Sequence, residues 1–69
     1  MIMTAFEEKH LNRAFNILHT KHKKNVISGF TLVSLSSEYF KLEMRARDFK
    51  FDKHLRTDIL KYLDKVTNA

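Results

Sequence analysis

The chain has 69 residues, which is room for one small domain. It contains no cysteine, so disulfides and thiolate metal sites are excluded, and the reducing cytoplasm is the expected setting. Thirteen lysines and arginines against eight acids give a net charge of +5, which favours an anionic partner. No apolar run approaches the roughly 20 residues that span a bilayer, so we expect no membrane association.

The first predicted element is an amphipathic helix over about residues 5–24. Thr4 and Glu7 have the spacing of a capping box, and Asn25 suits a left-handed cap at the far end. Apolar residues fall on one half of the helical wheel. The other half is polar and holds Lys9, Asn12, Arg13, Asn16, Thr20 and Lys23.

Two strands are predicted next, over about residues 26–35 and 39–47. The first run is rich in β-branched and aromatic residues, with Gly29 as a candidate bulge. The second run alternates strictly, so that one face is apolar and the other, which carries Tyr39, is wet and basic. We expect the two strands to pair as an antiparallel hairpin.

A last helix is predicted over about residues 53–66, with Asp52 as its cap and Phe51 as a hydrophobic staple. The fold class is therefore α+β in the order α-β-β-α, with two amphipathic helices packed on the hairpin. A two-stranded sheet is rarely stable alone, and the first strand is apolar on both faces. We expect a homodimer in which two hairpins form one four-stranded sheet.

The predicted function is non-enzymatic binding of nucleic acid, either DNA or RNA, by a small regulatory protein with a cationic surface. Phosphate contacts need cations at repeated spacing, and Tyr39 is placed to stack on a base. The predicted contact residues end the first helix, line the wet strand face and continue into the last helix: Lys21, Lys23, Lys24, Lys41, Arg45, Arg47, Lys50 and Lys53.

The alternative function is a protein-interaction module that inhibits or adapts a cellular or host enzyme. The partner would be a protein with an acidic surface, and it would dock on the apolar edge of the first strand, where the predicted interface residues are Phe30, Leu32, Val33 and Leu35. We expect no enzymatic activity, because no Ser–His–Asp arrangement can be placed, and the acids near the hairpin, which could in principle hold a metal for nuclease work, more often form surface ion pairs. His19 and His22 lie three residues apart, but no carboxylate completes a metal shell, so neither metal nor cofactor is expected.

Overall fold

The computed structural model describes residues 5–48 and 52–69, and these form three helices that all contact one another. Helix α1 is Ala5–Lys23, α2 is Gly29–Arg47 and α3 is Leu55–Thr67. The bundle is elongated, with principal extents of 37 × 17 × 17 Å. Within the described ranges, no helix is both long and apolar enough to cross a membrane.

The first helix agrees with its predicted bounds to within one residue. Its C-terminal end is a Schellman motif, in which the Val26 N–H donates to the Lys21 carbonyl at 2.8 Å. The Asn25 N–H donates to the His22 carbonyl at 3.0 Å, and Asn25 has a φ of 62°, which confirms the predicted left-handed cap. Thr4, the predicted start of the capping box, lies outside the described residues.

The predicted strands are wrong, because one continuous helix, α2, occupies most of both runs. Ser28 caps it, with its hydroxyl oxygen accepting from the Thr31 N–H at 3.1 Å. Gly29 is the first residue of the helix and no bulge. No strand exists in residues 5–48 or 52–69, so the α+β class and the four-stranded dimer sheet are also wrong.

The pattern of burial along α2 shows why the alternation of apolar and polar residues wrongly predicted a strand. The apolar alternating set includes Phe40, Leu42, Met44 and Ala46, but only Leu42 and Ala46 are buried. The core side of α2 repeats every three to four residues instead, as a helix requires. Tyr39 lies on that side, only 9% exposed, and is therefore not the surface stacking residue that the strand predicted.

The last helix begins two residues later than predicted. Asp52 does cap the turn before it, since its carboxylate accepts from the His54 N–H at 3.1 Å. Phe51, the predicted staple, is outside the described residues. All three helices and the Ile27 turn residue contribute to one hydrophobic core, whose members are Leu11, Ala14, Leu18, Ile27, Leu35, Tyr39, Leu42, Ala46, Leu55, Ile59, Tyr62 and Val66.

Candidate nucleic-acid interface

The net charge of the protein has a single source in the chain. Between Lys9 and Ser37 there are five lysines and arginines and no acid at all. The rest of the sequence carries eight cations and eight acids, which cancel. The whole excess of +5 therefore corresponds to the five cations of this acid-free segment, which lie on α1 after its acidic first turn or, for Lys24, directly after the helix.

Helix α1 presents much of this charge on one face. Its buried residues, among them Leu11, Ala14 and Leu18, face the other helices. On the opposite side, steps of four and three residues define what we call the outer stripe of α1, which is fully exposed and consists of Lys9, Arg13, Asn16, Thr20 and Lys23. At 1.5 Å per residue, this stripe is about 21 Å long.

The cations of the outer stripe are not used inside the protein. Lys9, Arg13 and Lys23 make no ion pair or side-chain hydrogen bond within the part of the chain that the structure describes, and neither does the neighbouring Lys24. An open groove of about 440 Å³ runs along one edge of the stripe, lined by Asn16, Ile17, Thr20, Lys21, Lys24 and Val26. The unpaired cations of the stripe, together with Lys24 at the groove, are available to an anionic ligand.

Lys21, although it is on the same helix, has a structural role. Its Nζ donates to the main-chain carbonyl of Thr67 and, at 3.0 Å, to that of Ala69. A cation at the C-terminal end of a helix satisfies carbonyls that lack partners and complements the helix dipole. Lys21 therefore ties α1 to the end of α3, and we leave it out of the candidate interface.

The remaining predicted contact residues do not form a second cationic surface. The Arg45 guanidinium, at the end of α2, donates to Asp52 through Nε and to Asp58 through Nη1, both at 2.8 Å. Hydrogen bonding from the Arg45 side chain is the main cause that lowers the pKa of Asp52 below its ordinary value. Because two carboxylates neutralise Arg45, it serves to join α2 to α3.

The other cations of α2 and α3 lie among acids. Arg47 lies 3.6 Å from Glu43, and Lys65 lies 2.9 Å from Glu38. Lys41 lines an open groove of about 450 Å³ in which lysines and acids alternate, together with Glu38, Leu42, Asp58, Lys61, Tyr62 and Lys65. Lys53 is exposed, and Lys50 lies outside the described residues. This side of the bundle is charge-balanced.

The four residues of the predicted docking edge do not form one exposed surface in the structure. Phe30 and Val33 are 83% and 69% exposed, but Leu35 is buried and Leu32 is half-buried against the core. The histidines do not gather, and no group of three potential metal ligands occurs in residues 5–48 and 52–69. His10 instead stacks on Phe6, with ring centroids 4.2 Å apart.

Two cations of the outer stripe, Lys9 and Arg13, are not among the contact residues predicted from the sequence. Both are on the polar half of the wheel, and both belong to the acid-free segment. The signal that would have found them is the run of 29 residues without an acid, read together with the helical spacing. Comparison with protein-family models, curated proteins and solved structures finds no significant match to this chain.

Proposed function

We propose that this chain is a non-enzymatic protein that binds duplex DNA through the outer stripe of α1. One observation carries the proposal: the acid-free segment that accounts for the net charge has all five of its cations on α1 after the first turn or directly after the helix, and most of these cations are exposed and unpaired. Cations in that state can each displace a counterion from a phosphate, which is the main source of non-specific affinity. The cysteine-free composition suits a reducing cytoplasm, and we propose that setting.

The chemistry of the stripe favours a duplex over a single strand. Asparagine, threonine, lysine and arginine are residues that contact phosphate oxygens, and the stripe contains all four types. Proteins that bind single strands add aromatic platforms for the bases, but the stripe has none and Tyr39 is in the core.

The shape of the stripe favours DNA over duplex RNA. A helix with its side chains is about 10–12 Å across, which matches the roughly 12 Å width of the DNA major groove. The major groove of A-form RNA is too narrow for side chains to read. We therefore expect α1 to lie in or along the DNA major groove.

The first test is a titration with matched duplex DNA, duplex RNA and single-stranded oligonucleotides at two salt concentrations. We expect the tightest binding to duplex DNA, with affinity falling by roughly 0.9 log unit per log unit of salt for each phosphate contacted. Absence of binding to any oligonucleotide at low salt would overturn the proposal, because phosphate-driven affinity is greatest there.

A pair of triple variants localises the contact. Lys9→Gln, Arg13→Gln and Lys23→Gln remove three charges from the outer stripe. Three other exposed lysines serve as the matched control, substituted as Lys41→Gln, Lys53→Gln and Lys61→Gln. Both triples change the net charge equally, so only a local contact separates them.

We expect the α1 triple to weaken binding by at least about tenfold and to lower the salt slope by roughly 2 to 3, while the control keeps most of both. Equal losses in the two triples would contradict a site on α1. The alternative is docking to another protein through Phe30, Leu32, Val33 and Leu35. It is less favoured, because Leu35 is buried in the core and the unpaired cations lie on α1 and not on this surface.

A further inference from the structure

Helix α2 has a second apolar side that faces away from the bundle. Four large apolar side chains lie there: Phe30 is 83% exposed, Val33 69%, Phe40 57% and Met44 72%. With the exposed Ser37 between them, they form what we call the outer stripe of α2. Its core-facing residues, Leu35, Tyr39, Leu42 and Ala46, are on the opposite side of the helix.

The spacing of this stripe is that of a coiled-coil seam. Its residues follow one another in steps of three, four, three and four, which places them at successive a and d positions of two heptads. A helix that only covers its own domain needs one apolar stripe, whereas α2 has two on opposite sides. The outer stripe therefore has the pattern of a helix that packs against another helix.

The outer stripe of α2 exposes a large apolar area. Two phenylalanines bury about 150–250 Å² each when fully covered, and their exposed fractions leave roughly 200–350 Å² of that in water. Val33 and Met44 bring the patch to roughly 300–500 Å², which is in the range of the largest apolar patch on a typical monomer. Two copies packed together would bury roughly 600–1,000 Å² of apolar surface, and flanking residues bring this near the size of a specific interface.

We propose that the outer stripe of α2 is a self-association surface, on which the α2 of a second copy packs in the antiparallel direction. The distribution of charged residues along α2 favours a second copy in this orientation. The first nine residues of α2 carry no charge, whereas its last ten hold all five of its charged residues: Glu38, Lys41, Glu43, Arg45 and Arg47. An antiparallel pair places the charged half of each helix against the uncharged half of the other, so that the ion pairs of Arg45 and Arg47 stay in place, whereas a parallel pair would bring the two charged halves together.

The centre of the stripe also suits a two-fold axis. Ser34, Ser36 and Ser37 lie at or beside it, and small side chains allow two helices to approach closely. Antiparallel helices moreover place opposite ends of their dipoles side by side. A 69-residue chain gains in stability from such a contact, since it buries a smaller share of its surface than a larger domain does.

The mass in solution tests association, independently of any nucleic acid. We expect light scattering and sedimentation to give about twice the chain mass of 8.2 kDa at micromolar concentrations and above. The double variant Val33→Gln, Met44→Gln should weaken the dimer by at least about tenfold, or about 1.4 kcal/mol. Leu60→Gln is the matched control, because Leu60 is an apolar residue of α3 that is 47% exposed and outside the stripe.

These substitutions are on the surface, so circular dichroism should show unchanged helix content in all variants. A monomer at every concentration up to about the millimolar range, where even a weak pair associates, would overturn the proposal. So would a dimer that the double variant leaves intact. Neither outcome bears on DNA binding by α1, because that proposal concerns a different helix and is tested by a separate titration.

The orientation is tested by single cysteines, for which this cysteine-free chain has no background. We expect Ser37→Cys, near the two-fold axis, to form a disulfide-linked dimer under mild oxidation. Arg47→Cys should not, because an antiparallel pair separates the two copies of residue 47 by roughly 25–35 Å along the helices. Rapid cross-linking at residue 47 would instead indicate a parallel pair and contradict the proposed arrangement.

Discussion

The hydroxyl of Tyr62 in α3 donates a 2.6 Å hydrogen bond to the main-chain carbonyl of Leu35 in α2. Both residues are buried, at 4% exposed each, so water does not substitute for either partner. Leu35 is in the helix that the sequence pattern assigned to strands. This bond thus joins α3 to α2 within the core of the bundle.

Replacing Tyr62 by phenylalanine is expected to lower the free energy of unfolding by about 1 kcal/mol. The ring and its packing stay, while the hydroxyl bond to the Leu35 carbonyl is lost. Tyr39→Phe is the control: its hydroxyl bond to Glu43 is longer, at 3.3 Å, and partly exposed, so a smaller loss is expected. Urea unfolding of both variants at pH 7 measures the difference, and equal losses would contradict the importance of the Leu35 bond.

The same tyrosine predicts a dependence of stability on alkaline pH. Burial, with smaller effects of Glu38 and Tyr39, raises the pKa of Tyr62 to about 12, against about 10 in the unfolded chain. A raised pKa means that the stabilisation is complete below pH 10 and is lost as the pH rises towards 12. The shift corresponds to at most about 3 kcal/mol.

Unfolding experiments between pH 8 and 12 compare wild type with Tyr62→Phe, so that the titration of the lysines cancels in the difference. We expect the wild type to lose its advantage over the variant across this range. Burial also raises the pKa of Tyr39, which leaves the variant with some alkaline sensitivity of its own. A difference that stays constant from pH 8 to 12 would rule out ionisation of Tyr62 as the cause.

The first and last helices were predictable because their local signals agree. In α1, the apolar spacing, the terminal lysines and Asn25 all indicate a helix that ends near residue 24, and the Schellman motif confirms it. The region of α2 gives conflicting signals. Val26, Ile27, Thr31 and Val33 favour a strand locally, but tertiary packing outweighs intrinsic β-propensity.

The alternation between residues 39 and 47 is explained by α2 having two apolar sides. A helix that is apolar on opposite sides can show a period of two, because its outer stripe fills positions that a one-sided helix leaves polar. Phe40 and Met44 belong to the outer stripe, and Leu42 and Ala46 to the core. The cationic character of the candidate site could be predicted from the sequence, but its position could be predicted only in part. Arg45, for example, was expected to contact the ligand, but it pairs with Asp52 and Asp58, and this pairing depends on the tertiary fold.

The connection through Arg45 predicts a dependence on acid pH. The hydrogen bond from Arg45 lowers the pKa of Asp52, so the stabilisation is present above the ordinary aspartate value near 3.8 and is lost as the pH falls below it. Arg45→Met should destabilise the protein at pH 7 and reduce the loss of stability on acidification. Arg47→Met is the control, because Arg47 is 61% exposed and its Glu43 partner is 3.6 Å away. Identical acid profiles for the two variants would contradict the role given to Arg45.

The last prediction concerns Gly29 at the start of α2. A methyl group built on Gly29 would meet no atom of the rest of the protein within 4 Å beyond the adjacent backbone, and Gly29 is not in the positive-φ region. Gly29→Ala should therefore raise the free energy of unfolding by about 0.4–1 kcal/mol, because alanine restricts the unfolded chain without strain in the folded one. Ser28→Ala should act in the opposite direction, by about 1 kcal/mol, because the hydroxyl that accepts from the Thr31 N–H is lost. Thermal and urea unfolding measure both variants. In the β-hairpin predicted from the sequence, Ser28 would lie in a strand and Gly29 at a bulge, so neither effect would be expected. A stabilising Gly29→Ala together with a destabilising Ser28→Ala therefore indicates that a helix starts here.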